Sequence, residues 1–179
     1  MKIGFTGHRP KKVFYKHDKA YTQECFELLY DFVEYTIFDY NNEKLSKYIF
    51  AERNLYNTGG ALGYDTAIAQ HILDTKNTLD LYLPYKSYGS NWYSNNDRIR
   101  LEKHKHQANK VIYINENNTF CTSIMYERNK HIVDNSDVII ALWDGSKSGT
   151  KQCVDYAREQ SKKVINIWDN WKEYYENKI

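Results

Sequence analysis

Charge of one sign is what this chain most plainly lacks. Its 25 Lys and Arg stand against 23 Asp and Glu, a net charge of +2 over 179 residues. A protein that holds nucleic acid by its phosphates carries a basic excess, so the total argues against such a partner. Cysteine is also scarce: Cys25, Cys121 and Cys153 form no Cys-x-x-Cys pair. An odd, unpaired set with no signal peptide fits a reduced, cytoplasmic chain, and the opening "MKIGFTG" reads as a strand, not a targeting segment. No apolar run approaches the roughly 20 residues that span a membrane, so no membrane partner is expected. With two prolines and no Pro/Gly/Ser-rich linker, low-complexity tract or internal repeat, nothing divides residues 1–179 into more than one domain. His104 and His106 stand two apart, off any common helical face. No cysteine or carboxylate cluster joins them, so no metal site is expected, and no resident cofactor is called for.

Rings and short apolar runs are abundant. The 17 tyrosines and 4 tryptophans suit a core edge or a stacked ligand. The richness in Tyr, Asn and Lys equally fits AT-rich coding and, with it, a phage or mobile-element setting. Strand-like runs occur at 2–6, 54–58, 79–83, 110–114, 137–143 and 163–168, several of them nearly continuous apolar stretches of the kind covered on both faces in a parallel sheet. Between them, helical patterns occupy 18–40, 41–54, 64–75, 91–108, 120–135 and 149–161, with a terminal helix over about 169–179. Strands alternating with helices predict an α/β fold: a Rossmann-like, open, doubly wound, mainly parallel sheet with helices on both faces. Such sheets bind ligands beyond the carboxyl ends of their strands, where the strand order reverses.

Three strand-ending turns are candidates for that edge. In "TGHRP", Gly7 permits close backbone approach, while Thr6, His8 and Arg9 offer donors. In "NTGGALGYDTAIA" (57–69), Gly60 and Gly63 stand at a strand-to-helix junction whose unpaired N–H groups favour an anion. Asp65 there either caps the turn or takes a ribose hydroxyl. The stretch is neither a Walker loop nor a G-x-G-x-x-G fingerprint. In "WDGSKSGTKQCVDYA", Asp144, Gly145, Ser148, Gly149 and Thr150 lie between an apolar strand and a helix, a setting that suits a phosphate.

"TGHRP", "GGALGYDTAIA", "MYERNKHIVDNSDVIIALWDG" and "SGTKQCVDYA", in that order, resemble the SLOG superfamily, and most of all its YpsA-type branch, over roughly residues 1–168. The resemblance implies a Rossmann-like fold and a nucleotide or nucleotide-derived ligand such as ADP-ribose. Related LOG-type phosphoribohydrolases cleave the N-glycosidic bond of nucleoside monophosphates, and DprA-type relatives bind single-stranded DNA. The chain is similar to the enzymatic branch at Met125, Arg128, Gly149 and Thr150. Three residues after the Thr, those enzymes carry a catalytic Glu where this chain has Cys153, and "GSKSGT" replaces their "GGxGT". A carboxylate can stabilise an oxocarbenium-like transition state or manage the attacking water; a neutral thiol does neither well. Loss of that activity is therefore expected, with Arg128 and Glu127 the weak catalytic candidates should it persist.

The resemblance makes Arg128 a clamp for a phosphate. Trp92, in the 83–93 loop, either stacks on a ligand ring or packs on its own loop, and exposed rings there equally suit a homo-oligomer interface. Arg98 and Arg100 are expected to face water. The function expected is that of a sensor or sequestering protein for a nucleotide, ADP-ribose-like or cyclic, rather than an enzyme. The alternatives are nucleotide N-glycosidase chemistry and single-stranded DNA binding.

Overall fold

The computed structural model describes residues 1–16 and 20–179. Six strands, all parallel, form one sheet: β1 (Lys2–Gly7), β2 (Leu55–Thr58), β3 (Thr78–Leu83), β4 (Lys110–Tyr113), β5 (Val138–Leu142) and β6 (Lys163–Asn166), in the order β4-β3-β2-β1-β5-β6. Each lies within a residue or two of its expected place. The chain winds outward from β1 to β4, then returns to pair β5 against β1. The two central strands run level, with Ile3 opposite Val138 and Gly7 opposite Leu142, and His8 N donates to Leu142 O at 3.1 Å just beyond them. Both strands therefore end at one edge, on either side of the reversal in strand order.

The helices are α1 (Pro10–Val13), α2 (Gln23–Phe32), α3 (Ser46–Ile49), α4 (Tyr64–Asp74), α5 (Asn95–Gln107), α6 (Thr122–Asp134), α7 (Gly149–Glu159) and α8 (Trp168–Glu176). Alternation along the strands divides them between two faces. Ile3 and Phe5 of β1, with Leu79 of β3 and Ile140 of β5, join the core built with α2, α4 and α8. Tyr82 of β3 and Ile139 of β5 meet Ile132 and Val133 of α6 and Cys153 and Ala157 of α7 on the opposite face. Helices change face where the strand order changes direction, which keeps the crossovers of one hand.

Local chemistry accounts for the element ends. Ser94 and Ser148 accept hydrogen bonds from Asp97 N and Lys151 N and so start α5 and α7, as side-chain oxygens at N-caps do. The helix expected over 18–40 begins at Gln23, capped by Thr22, and continues after Phe32 as a π-helical turn, Val33–Ile37, closed by Phe38 N on Val33 O at 3.0 Å. Residues 18 and 19 of that expectation lie outside the described residues. The helix expected over 41–54 shrinks to α3, and α1 replaces what read as a simple turn. The terminal helix packs as expected, with Trp171 and Tyr175 fully buried.

Candidate functional site

A cavity of about 410 Å³ opens at the edge where β1 and β5 end. The end of β1 supplies Thr6, Gly7, His8 and Arg9. Lys11 and Lys12 come from α1, Ala61 and Asp65 from the turn into α4, Arg128 and Asn129 from α6, and Ser148, Gly149 and Thr150 from the start of α7. The three turns singled out in the sequence thus reach one cavity. Thr6 leaves β1 on the α6–α7 face, opposite Phe5, which is why it lines the cavity while Phe5 stays in the core.

The floor is charged and buried. Asp65 is 5% exposed and Arg128 6%, with Arg128 Nη1 3.8 Å from Asp65 Oδ2. Arg128 also donates to Gly59 O, and a side chain on Gly59 would collide with the guanidinium. Asp65 Oδ2 accepts from Ala61 N at 3.3 Å, so the carboxylate caps the turn that carries it. Neither Asp65 Oδ1 nor Arg128 Nε has a hydrogen-bond partner among the described residues, leaving one acceptor and one donor unsatisfied on a buried pair. Burial lifts the Asp65 carboxyl to about 6, against the opposing pull of Arg128, the Ala61 amide and Arg9.

The wall above is α7. Its first amides have no intrahelical acceptor and carry the positive end of the helix dipole. Ser148 Oγ takes up only Lys151 N, at 3.1 Å, so Gly149 and Thr150, both lining the cavity, keep amides that have no intrahelical acceptor. Lys12 ties α1 across to this loop through Ser146 Oγ and, at 3.1 Å, Lys147 O. Asn129 Nδ2 donates to Gly149 O at 3.2 Å and holds α6 against α7.

The remaining candidates stand behind or beside the cavity. Asp144 receives Ser146 N at 2.8 Å and lies 2.6 Å from His8 Nε2. Burial works against its charge, yet the hydrogen bonds from Ser146 and His8 hold the carboxyl down at about 2. His8, 2% exposed, is lowered by burial, which outweighs the attraction of Asp144. This pair shapes the loop on which Gly145 turns with φ +88°; neither Asp144 nor Gly145 is a lining residue. Gly60 is packed beneath Leu81 and Leu83, and Gly63 against Pro10; they serve the turn's fold and do not line the cavity. Trp92 packs edge-on against Tyr88, with centroids 5.7 Å apart, and lies apart from the cavity. Arg98 and Arg100, expected to face water, instead donate to Trp92 O and to Asp97, and the Arg100 guanidinium sits over the Phe26 ring at 3.5 Å.

Two features bear on chemistry. Cys153 is fully buried among Ile132, Val133 and Ile139, and burial pushes its thiol up to about 11 despite a hydrogen bond with Thr6. Glu127 pairs with Lys130 at 3.1 Å on an exposed face, outside the cavity. Among the lining residues the only carboxylate is Asp65. Sequence reasoning passed over Lys11, Lys12, Phe120 and Thr122, all of which line the cavity. The signal for the lysines was present, since "RPKK" places two cations one turn beyond the glycine turn.

Among the described residues no helix is long and apolar enough to cross a membrane. The sequence profile of the YspA SLOG family (YpsA) matches residues 3–169. The SPbeta prophage-derived protein YoqJ of Bacillus subtilis (strain 168) is 30% identical over 128 residues, covering 62% of this chain and 74% of YoqJ. DNA processing protein A of Helicobacter pylori, described by its single-stranded DNA binding mode, aligns with TM-score 0.56 at 17% identity, over 93% of this chain and 64% of its own. DprA of Streptococcus pneumoniae aligns with TM-score 0.59 at 14% identity, over 92% and 49% respectively. At these identities the likeness to both DprA proteins is one of fold, and this chain spans no more than about two thirds of either.

Proposed function

The chain belongs to the YspA SLOG family, and from that premise we propose that it binds a nucleotide or nucleotide-derived ligand, ADP-ribose-like or a cyclic signalling nucleotide, as a sensor or sequestering protein. One observation carries this reading: a single cavity at the strand-order reversal joins the free amides of α7 to Arg9, Lys11 and Lys12 above a buried Asp65–Arg128 floor. Amides at a helix start and nearby cations suit a phosphate. The unpartnered Asp65 oxygen below suits a hydroxyl donor such as a ribose offers. Ligand sites of α/β sheets lie at this edge.

The same site argues for binding over hydrolysis. The position that would carry a catalytic carboxylate holds a buried, neutral thiol, and Glu127 points elsewhere. The prophage origin of YoqJ fits a phage or mobile-element setting for this chain as well. Heating the purified protein and weighing the released small molecules by mass spectrometry tests the reading; a nucleotide-derived mass supports it. Incubation with nucleoside monophosphates and ADP-ribose tests the hydrolase alternative. Free base that appears with wild type and vanishes in Arg128→Ala would replace the binder with an enzyme.

A further inference from the structure

At the opposite edge of the sheet, where β2 and β3 begin, lies a larger cavity of about 620 Å³. Asn54, one residue before β2, and Thr78, the first of β3, line it, with His71 of α4 and Phe38 from the close of the π-helical turn. It shares no lining residue with the cavity described above. Its volume lies within the roughly 300–1,000 Å³ of small-molecule sites, and π-helical turns are frequent at functional sites.

Two buried polar atoms of this lining have no hydrogen-bond partner among the described residues: Asn54 Oδ1 and His71 Nδ1. The Asn54 amide is not free to exchange its ends. Its nitrogen donates to Tyr48 O and Ile49 O, both at 2.8 Å, and so closes the end of α3. A flip would set the amide oxygen against two carbonyls. Tyr56 has already given its hydroxyl proton to Ile49 O, at 2.8 Å. His71 is 5% exposed, and burial lowers its pKa below 6.5, so the ring is neutral at pH 7. Native proteins leave few such atoms unfilled, and here two share one cavity.

The rest of the lining adds rings and charge. Phe38 lies 4.4 Å from the His71 ring, and Tyr40 stacks on Phe50 at 3.6 Å with planes 12° apart. Arg53 and Lys76 also line the cavity, with φ of 57° and 58°. Glycine is the usual residue in that left-handed region. Neither side chain has a hydrogen bond or ion pair among the described residues. Against these two cations the lining holds one carboxylate, Glu34.

We propose that this cavity is a second ligand site, independent of the nucleotide site, for a planar aromatic acid that carries a ring N–H. The ring lies among Phe38, Tyr40 and Phe50. Its N–H supplies the donor that Asn54 Oδ1 lacks, and its polar edge engages His71 Nδ1. The acid group lies at Arg53 and Lys76.

Calorimetry with three probes tests this: indole-3-acetate, 1-naphthaleneacetate, which lacks the N–H, and indole, which lacks the acid. Asn54 also holds the end of α3, so its contact is tested from the ligand side. Indole-3-acetate is expected to bind wild type with a Kd of about 0.1 mM or below. Each of the other two should bind about tenfold more weakly, the worth of one hydrogen bond or charged contact. Lys76→Gly and Arg53→Gly should each weaken indole-3-acetate, leave indole unchanged and keep the thermal midpoint at or above that of wild type, because glycine relieves the backbone. Thr78 is exposed, so Thr78→Trp fills the cavity from its rim and should abolish binding of all three. Equal affinity for the three probes, indole-3-acetate binding that survives Thr78→Trp, or no binding of indole-3-acetate by wild type would each overturn the proposal and leave the nucleotide site untouched.

Discussion

At the scale of single residues, the site turns on a carboxylate and a guanidinium that share one buried place. A group lifted from 3.8 to about 6 keeps its proton in the folded chain across a pH window in which the unfolded chain has lost it. Stability contributed by Asp65 therefore falls as pH rises from about 4 to about 6 and stays low above that, by an amount on the order of 3 kcal/mol. Urea midpoints measured between pH 4 and 8 should show this slope in wild type and its loss in Asp65→Asn. Arg128 makes the complementary case. Removing one partner of a buried pair costs about 3–5 kcal/mol, because the survivor is left charged and unpaired. Asp65 has an escape that Arg128 lacks, since it can take up a proton. Arg128→Met should accordingly be costly at pH 8 and much milder at pH 5, while Asp65→Asn should cost more at pH 5 than at pH 8, because only wild type loses the Asp65 contribution as pH rises between them. The double variant should lose less than the two single losses combined. An additive double variant would show that the 3.8 Å separation carries no coupling.

At the scale of elements, burial again sets the titration, now with opposite sign. His104 of α5 is fully buried, with Nε2 3.0 Å from Gln70 Oε1 of α4. Burial, helped by Arg100 and Lys103, lowers it to about 3. Below pH 6.5 the unfolded chain takes a proton that the folded chain refuses, so stability is lost as pH falls from there towards 3, by roughly 5 kcal/mol for this ring alone. His104→Gln keeps a polar partner for Gln70 and cannot titrate; its denaturation midpoints should decline less steeply on acidification than those of wild type. Nothing in "LEKHKHQ" distinguished this histidine from His106, because α5 has too weak an amphipathic pattern to reveal which face is inward. The strands were legible for the opposite reason. Runs such as "DVIIALW" and "KVIYI" are short, apolar and bounded by turns, and the packing obeys them. α2 was legible as helix, but its π-helical turn was not, since five residues closed by Phe38 N on Val33 O leave the apolar spacing nearly unchanged. α1 escaped notice because Pro10 reads as a turn residue, although proline at the first helical position also starts helices. In the site, the glycine turns and Arg128 were visible as chemistry, but their division of labour was not. Gly60 and Gly63 look as ligand-ready in sequence as Gly149, and only the positions of Leu83 and Pro10 show that the first two are filled from within.

At the scale of the whole molecule, strand order decides where function can sit, and charge decides how much of it is electrostatic. Because β5 returns to the inner side of β1, the ends of these two strands diverge into helices on opposite faces and leave a crevice between them. Arg9, Lys11 and Lys12 line one half of the groove there, and Lys147 and Lys151 the other. A net charge of +2 means this local cluster is offset elsewhere, so long-range attraction for a polyanion is weak while a short ligand placed in the groove still meets concentrated positive charge. Salt separates the two kinds of partner. Each phosphate of a single strand neutralised by the protein contributes about −0.7 to the slope of log affinity against log salt. A DNA strand laid along all five cations should give a slope of about −3 or steeper. Lys12 and Lys151 are already engaged by Ser146 and Asp155, so a nucleotide seated at the start of α7 should engage few cations and give a slope near −1. Titrations of ADP-ribose and of a single-stranded oligonucleotide between 50 and 300 mM salt, on the order of the range where such slopes are resolved, are expected to show the shallow dependence for the first and no measurable complex for the second at the upper salt. A tight oligonucleotide complex with a steep slope, weakened by Lys11→Glu and Lys147→Glu alike, would make this edge a track for a strand and displace the small ligand from it.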